Sequence, residues 1–119
     1  CGWVDWNFLL DMDGGPNHVG NHCFAPIHAD TETGELVFTR SHQVLGHFAR
    51  FLRPGAERIN ATTSRSTLPT VAFRAPQGHL VAVVLNEHDE ETAYDLHVGA
   101  AGVRLSIPPH AVQTLVCEA

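Results

Sequence analysis

Gly2-Trp3-Val4-Asp5-Trp6-Asn7-Phe8-Leu9-Leu10 is the stretch on which the reading of this chain turns. Residues 3 to 10 mix aromatic and branched aliphatic side chains around Asp5 and Asn7. That is the texture of a buried strand whose few polar groups point at something specific. From Asp11 to Gly34 follow Gly14-Gly15-Pro16-Asn17, Asn21, Pro26 and the turn Asp30-Thr31-Glu32-Thr33-Gly34. This composition predicts one loop of over twenty residues, and connections of that length in compact domains are usually functional or mobile.

Leu36-Val37-Phe38 is a candidate short strand. Beyond it Val44, Leu45, Phe48, Phe51 and Leu52 recur at helical spacing from an N-cap at Thr39 or Ser41. Arg50 and Arg53 are expected in the last turn, where positive charge suits the helix dipole, and Pro54-Gly55 stops the helix. A strand, a long loop and one helix are what the final βα unit of a (β/α)8 barrel looks like, and Trp3 to Phe51 fits such a unit, in which the loop after the strand lies on the ligand-binding face. The remainder reads as β structure. Arg58 to Thr63, Thr70 to Arg74, Leu80 to Leu85, Ala93 to Val98, Val103 to Ile107 and Ala111 to Val116 are short and β-branched, with turn signals such as Pro76-Gln77-Gly78 between them. Six strands at this spacing predict a β-sandwich. The expected domains are therefore residues 1–55, a piece of a TIM barrel, and residues 56–119, an all-β sandwich.

With 119 residues the chain cannot hold a complete barrel of roughly 250. It opens on an apolar, aromatic run without an initiator Met, which reads as a truncation and leaves export open. The formal net charge is −6, there is no Lys, and seven Arg are spread singly, so no basic stripe exists to neutralise phosphates and no nucleic-acid partner is expected. No apolar run approaches the roughly 20 residues a membrane helix needs, so no membrane span is expected. Cys1, Cys23 and Cys117 lack metal-ligand spacing and read as free thiols.

The ordered string Gly2-Trp3-Val4-Asp5-Trp6-Asn7, Gly14-Gly15-Pro16-Asn17, Asn21, Pro26-Ile27, Leu45-Gly46-His47-Phe48-Ala49-Arg50-Phe51 and Pro54-Gly55 resembles the last stretch of the glucosylceramidases of glycoside hydrolase family 30. Val81-Ala82-Val83-Val84-Leu85-Asn86 and the ending Pro108 to Leu115 are similar to that family's C-terminal β-domain. The resemblance implies a barrel packed on a sandwich that also takes strands from the N-terminus. It implies a retaining β-glycosidase acting on β-glucosides, glucosylceramide among them, with two carboxyl groups about 5–5.5 Å apart and no cofactor. The family's two catalytic glutamates lie on earlier barrel strands, and none of the glutamates here occupies a matching motif. Catalytic residues are therefore expected outside this chain, in an N-terminal barrel that would be its partner within the same protein.

The resemblance also assigns substrate-binding residues. Trp6 corresponds to a tryptophan lining the pocket for the terminal sugar, where an indole stacks on the C–H face of a pyranose; the bland alternative is a core tryptophan. Asn21 corresponds to a loop asparagine that exchanges hydrogen bonds with sugar hydroxyls, against its ordinary role as a turn former. His22 and Cys23 stand where the animal glucosylceramidases carry apolar residues, which opens the aglycone to glucosides other than ceramide, with Phe24 supplying apolar surface beside them. Asp5 and Asn7 flank the site, either orienting neighbouring groups or hydrogen-bonding loop backbone. Related subfamilies act on xylosides or β-1,6-glucans. A reading from another class is a free-standing carbohydrate-binding sandwich using Trp3 and Trp6 as a stacking platform, but such a module leaves the helix unexplained.

Four signals carry less. His18, His22, Cys23 and His28 invite a zinc reading, but Gly14-Gly15-Pro16 and Gly20 argue against the helix that His18 and His22 would need. No metal is expected. Asn60-Ala61-Thr62 fits the N-glycosylation pattern, which arises often by chance. Asp89-Glu90-Glu91 reads as a solvated hairpin turn, and His47 as a packing or hydrogen-bonding residue of the helix.

Overall fold

The computed structural model describes residues 4–16, 19–64 and 67–118. Gly2, Trp3, Asn17, His18 and Cys1, on which parts of the sequence reading rest, lie outside the described residues. The chain divides into two compact units, Cys1–Gly46 and His47–Ala119, with the division falling inside the helix. No helix among the described residues is long and apolar enough to cross a membrane.

In the first unit the strand expected at residues 3–10 is confined to β1, Leu9–Asp11. Residues 4–8 carry no strand pairing, and Trp6 is 77% exposed. Val4, Trp6 and Phe8 show apolar surface to solvent, although the Phe8 carbonyl still accepts the Ile27 N–H of the neighbouring strand at 3.1 Å. The long loop is also interrupted. β2, Ile27–Ala29, pairs parallel to β1, and β3, Leu36–Phe38, pairs antiparallel to β2. Leu10, Ala25, Pro26, Ile27 and His28 are buried around this small sheet.

The β2–β3 hairpin is built on Asp30. Its carboxylate accepts the backbone N–H of Glu32 at 2.8 Å and of Thr33 at 3.1 Å, and Gly34, with φ +78°, donates to the Asp30 carbonyl at 2.8 Å. These donors favour the charged carboxylate, so the Thr33 and Glu32 amides hold Asp30 below its ordinary value.

The helix α1, Arg40–Ala49, starts from Thr39. The Thr39 carbonyl accepts the first helical bond from Gln43 at 3.3 Å, as an N-cap residue does, while its hydroxyl donates to the Pro26 carbonyl at 2.9 Å. Arg50 and Arg53 fall beyond the helix, contrary to their expected place in its last turn. The N–H groups of Phe51 and Leu52 both return to the Phe48 carbonyl, which closes the helix earlier and leaves His47 as the basic residue of that turn. Pro54-Gly55 instead forms a separate turn, with Gly55 at φ +90° and Ala56 donating to the Arg53 carbonyl at 2.9 Å.

The second unit holds the six expected strands: β4 Glu57–Ile59, β5 Thr70–Arg74, β6 Leu80–Asn86, β7 Thr92–Val98, β8 Ala101–Ile107 and β9 Ala111–Cys117. β4 is shorter than the 58–63 segment expected, since Thr62 and Thr63 leave the sheet and line the space between sheets. One antiparallel sheet has the order β4-β5-β6-β9, and β7-β8 form a second. Gly78, at φ +96°, turns β5 into β6 where Pro76-Gln77-Gly78 predicted a turn. β6 is buried along both faces, as its unbroken Val-Ala-Val-Val run requires, whereas β7 alternates inward Tyr94 and Leu96 with outward Asp95 and His97.

Leu68, Val84 and Ile107 form the core between the sheets, with Tyr94, Ala111 and Leu115 against it. Burial pushes the Tyr94 phenol up, and its O–H donates to the Gln113 side-chain oxygen. A space of about 1090 Å³ remains between the sheets, walled by Ala72, Ala82 and Val84 on one side and Tyr94 and Leu96 on the other. His47 Nδ1 and Thr114 Oγ1 on β9 are hydrogen-bonded at 2.8 Å, which is the structural role its position suggested.

Asn86 is wholly buried, and a buried amide must find partners. Its side-chain NH₂ lies within bonding distance of the carbonyls of Glu90 (2.8 Å), Pro108 (2.9 Å) and Ile107 (3.2 Å), and its Oδ1 accepts the His88 N–H at 3.0 Å. One side chain thus ties the end of β6 to the end of β8. Asn86→Ala is expected to lower stability by about 2–4 kcal/mol, because it strands the buried Ile107 carbonyl and removes the bonds to Glu90, Pro108 and His88 at once, and a urea midpoint shift measures this. The acid sensitivity of the hairpin has a definite sign. A carboxyl group held low in the folded chain stabilises it above the unfolded value, and that contribution disappears as pH falls through the folded value. An NMR titration is expected to place the Asp30 midpoint below that of unfolded aspartate, with the amide protection of Glu32 and Thr33, relative to their intrinsic exchange rates, falling on the acid side of it.

Candidate functional site

The loop between β1 and β2 returns on itself as two limbs, residues 11–16 and 19–25, joined by three cross-links. At its base, His28 Nδ1–H donates to the Asp11 carbonyl at 2.7 Å while His28 Nε2 accepts the Ala25 N–H at 3.2 Å. Further out, His22 Nδ1–H donates to the Asp13 carbonyl at 2.6 Å. Beside it the Cys23 N–H donates to the Gly14 carbonyl at 3.1 Å. The first limb is wound tightly by Asp11, whose Oδ1 accepts the Gly15 N–H at 2.7 Å and the Asp13 N–H at 3.0 Å. Gly14 fits this crossing for two reasons: φ is +74°, and a Cβ there would run into the Cys23 carbonyl.

Met12, Asp13, Gly14, His22, Cys23, Phe24, His28, Val37 and Thr39 line an open groove of about 520 Å³, within the size range of small-molecule sites. Of the residues singled out from the sequence, His22 lies in this lining. Asn21 is its immediate neighbour and is exposed, with the Cys23 thiol 3.8 Å from its carbonyl. Asp5 and Trp6 are exposed ahead of β1 and outside the groove lining; the Trp6 N–H donates to Asp5 Oδ1 at 2.8 Å, so Asp5 does bond loop backbone. Asn7 is likewise exposed.

The sequence reading missed what joins the limbs. His28 appeared there only as an outlying metal candidate, whereas both its ring nitrogens are engaged with backbone. Its place in a three-residue strand between Ile27 and Ala29 carries no alternation that would have singled it out. Among the described residues no group of three or more His, Cys, Asp or Glu could hold a metal ion. Cys23 and Cys117 are free thiols. The glutamates are all exposed.

A small parallel-stranded unit carrying a cross-linked ligand-face loop and one helix, followed by a two-sheet sandwich, defines the class: the end of a barrel-plus-sandwich protein. The family models agree with both parts. Residues 1–52 match the glycosyl hydrolase family 30 TIM-barrel domain and residues 55–115 match the glycosyl hydrolase family 30 beta sandwich domain. This chain belongs to glycosyl hydrolase family 30.

It is 41% identical over 91 residues to the lysosomal acid glucosylceramidase of Mus musculus, an alignment covering 76% of this chain and 18% of that protein. The crystal structure of SrfJ from Salmonella typhimurium superposes with a TM-score of 0.93 at 37% identity, over 97% of this chain and 26% of that one. The endo-β1,6-glucanase BT3312 shares the fold, with a TM-score of 0.85 at 20% identity over 96% of this chain and 26% of that one. The chain thus spans about a fifth to a quarter of the proteins it matches.

Gly14→Ala is expected to destabilise the loop by about 2–4 kcal/mol, combining a left-handed backbone with a collision against backbone atoms. Loss of amide-exchange protection at Cys23, which donates across that crossing, is the measurement that reports it.

Proposed function

We propose that this chain is the C-terminal part of a retaining β-glycosidase acting on β-glucosides, and that it supplies one wall of the sugar site together with the sandwich. The observation that carries this reading is the likeness to a named glucosylceramidase, 41% identical over 91 residues and covering 76% of this chain. In this proposal Trp6 stacks on the terminal sugar and Asn21 exchanges hydrogen bonds with its hydroxyls. Both are exposed and so accessible to a ligand. His22 follows Asn21 in the chain: with its Nδ1 proton spent on Asp13, the ring when neutral offers Nε2 as an acceptor for a hydroxyl. Asp5 supports the Trp6 backbone. Domains at 1–55 and 56–119 belong to the same proposal.

The reaction needs a nucleophile and an acid/base carboxyl close together. Those roles fall to glutamates of an upstream barrel, so the chain by itself is inactive. Two features fit such a partner within the same protein. Most of the large apolar side chains exposed among the described residues lie in the first unit, Phe8, Leu9, Phe38 and Val44 among them. The space between the sandwich sheets is far larger than a packed interior retains, and strands of the preceding chain would fill it. His22 and Cys23 make the groove partly polar, which favours β-glucosides with leaving groups less apolar than ceramide.

Hydrolysis of a chromogenic β-glucoside by the full-length protein, with retention at the anomeric carbon and no turnover by residues 1–119 alone, is the expected result. Trp6→Ala in the full-length protein is expected to lower kcat/KM by about 10²-fold or more, as loss of a positioning surface does. Turnover by the isolated chain would sink the proposal. So would saturable glycan binding by an independently folding chain with no activity in the parent, which would favour a binding module.

A further inference from the structure

We propose that His28 is a positioning residue that sets the geometry of the loop limb carrying Asn21 to Phe24. The role rests on the sugar-site reading above but on a different observation. His28 lies in β2, is only 9% exposed, and spends one ring nitrogen on each limb: Nδ1 on the carbonyl where the first limb leaves β1, Nε2 on the N–H where the second limb enters β2. A carbonyl can only accept and an N–H can only donate, so the two partners fix the ring as the neutral tautomer with its proton on Nδ1. The ring is thereby a crossbar of set length between the ends of the loop, and Phe24 packs on it with ring centroids 5.3 Å apart.

What the crossbar positions is the lining of the groove. Ala25 is fully buried and its N–H is held by the ring, so Phe24, Cys23 and His22 leave a fixed point and meet their own partners, Gly14 and Asp13, further out. Removing the ring's two bonds while keeping its bulk frees Ala25 and lets this limb shift against β1. Such a shift moves the wall beside the sugar and leaves any carboxyl chemistry elsewhere untouched. The expected signature is therefore in substrate binding and not in the chemical step.

Two substitutions in the full-length protein separate this from a merely structural role. His28→Phe keeps an aromatic ring and loses both bonds; His28→Gln keeps one donor and one acceptor at comparable spacing. On a chromogenic β-glucoside, His28→Phe is expected to raise KM about tenfold with kcat changed less than about threefold, and His28→Gln to return KM to within about threefold of the parent. Equal KM in all three proteins, with loss confined to melting temperature, overturns the proposal. The second measurement does not depend on catalysis or on the Phe variant folding. In protein labelled with ¹⁵N-histidine, the His28 ring is expected to show a protonated Nδ1 and an unprotonated Nε2, with the Ala25 amide slow to exchange in the parent and in His28→Gln. An Nε2-protonated ring or a fast-exchanging Ala25 amide overturns the crossbar. Should the full-length protein hydrolyse no β-glucoside, the sugar-site reading falls, and these ring and amide measurements still decide the crossbar.

Discussion

Two parallel strands cannot be joined by a tight turn, and that constraint governs the first unit. β1 and β2 run side by side in the same direction, so the chain leaving Asp11 must travel out and back before it re-enters at Ile27. A connection of that length would be costly to order without internal fastening. The fastening comes from three directions: the Asp11 carboxylate winding the first limb, the Gly14 to Cys23 crossing, and the His22 and His28 rings bridging to carbonyls. Because the bonds go to backbone, the course of the limbs depends on Asp11, His22 and His28 and not on the remaining exposed side chains.

The sandwich solves a different problem. Its chain passes from β6 to a separate hairpin and returns to pair β9 with β6, so the two sheets are joined by two corners. Corners bury peptide groups that no ladder satisfies, and Asn86 answers at one of them with a side chain that both donates and accepts. Between the sheets the fit is uneven. Leu68, Val84 and Ile107 meet closely, while the region walled by Ala72 and Tyr94 stays open.

What could be read from the sequence follows from how local its cause is. The sandwich strands were legible because alternation and turn residues act over a few positions: Gly78 turns one hairpin, and Tyr94 and Leu96 announce an inward face two residues apart. The helix was legible for the same reason, although its end was not, since the paired return of Phe51 and Leu52 to one carbonyl leaves no mark in composition. β2 was overlooked because three residues following a proline carry too little pattern. In the site, motif order singled out Trp6, Asn21 and His22, but His28 acts by reaching two main-chain groups 17 and 3 positions away, and residue type does not encode backbone targets. Gly14 stood in a quoted motif without a reason; the reason is the Cys23 carbonyl pressed against it.

The pairing of β6 with β9 carries a consequence for the order of assembly. β5 and β6 are adjacent hairpin partners that can find each other as soon as both exist, and so are β7 and β8. β9 must instead close across the whole β7–β8 excursion, and closing a longer chain segment costs more entropy before any contact repays it. The excursion shortens that search once it has folded back into a hairpin. The four-stranded sheet therefore completes last at its β9 edge, and Thr114, which meets His47 there, joins only when the final strand has docked.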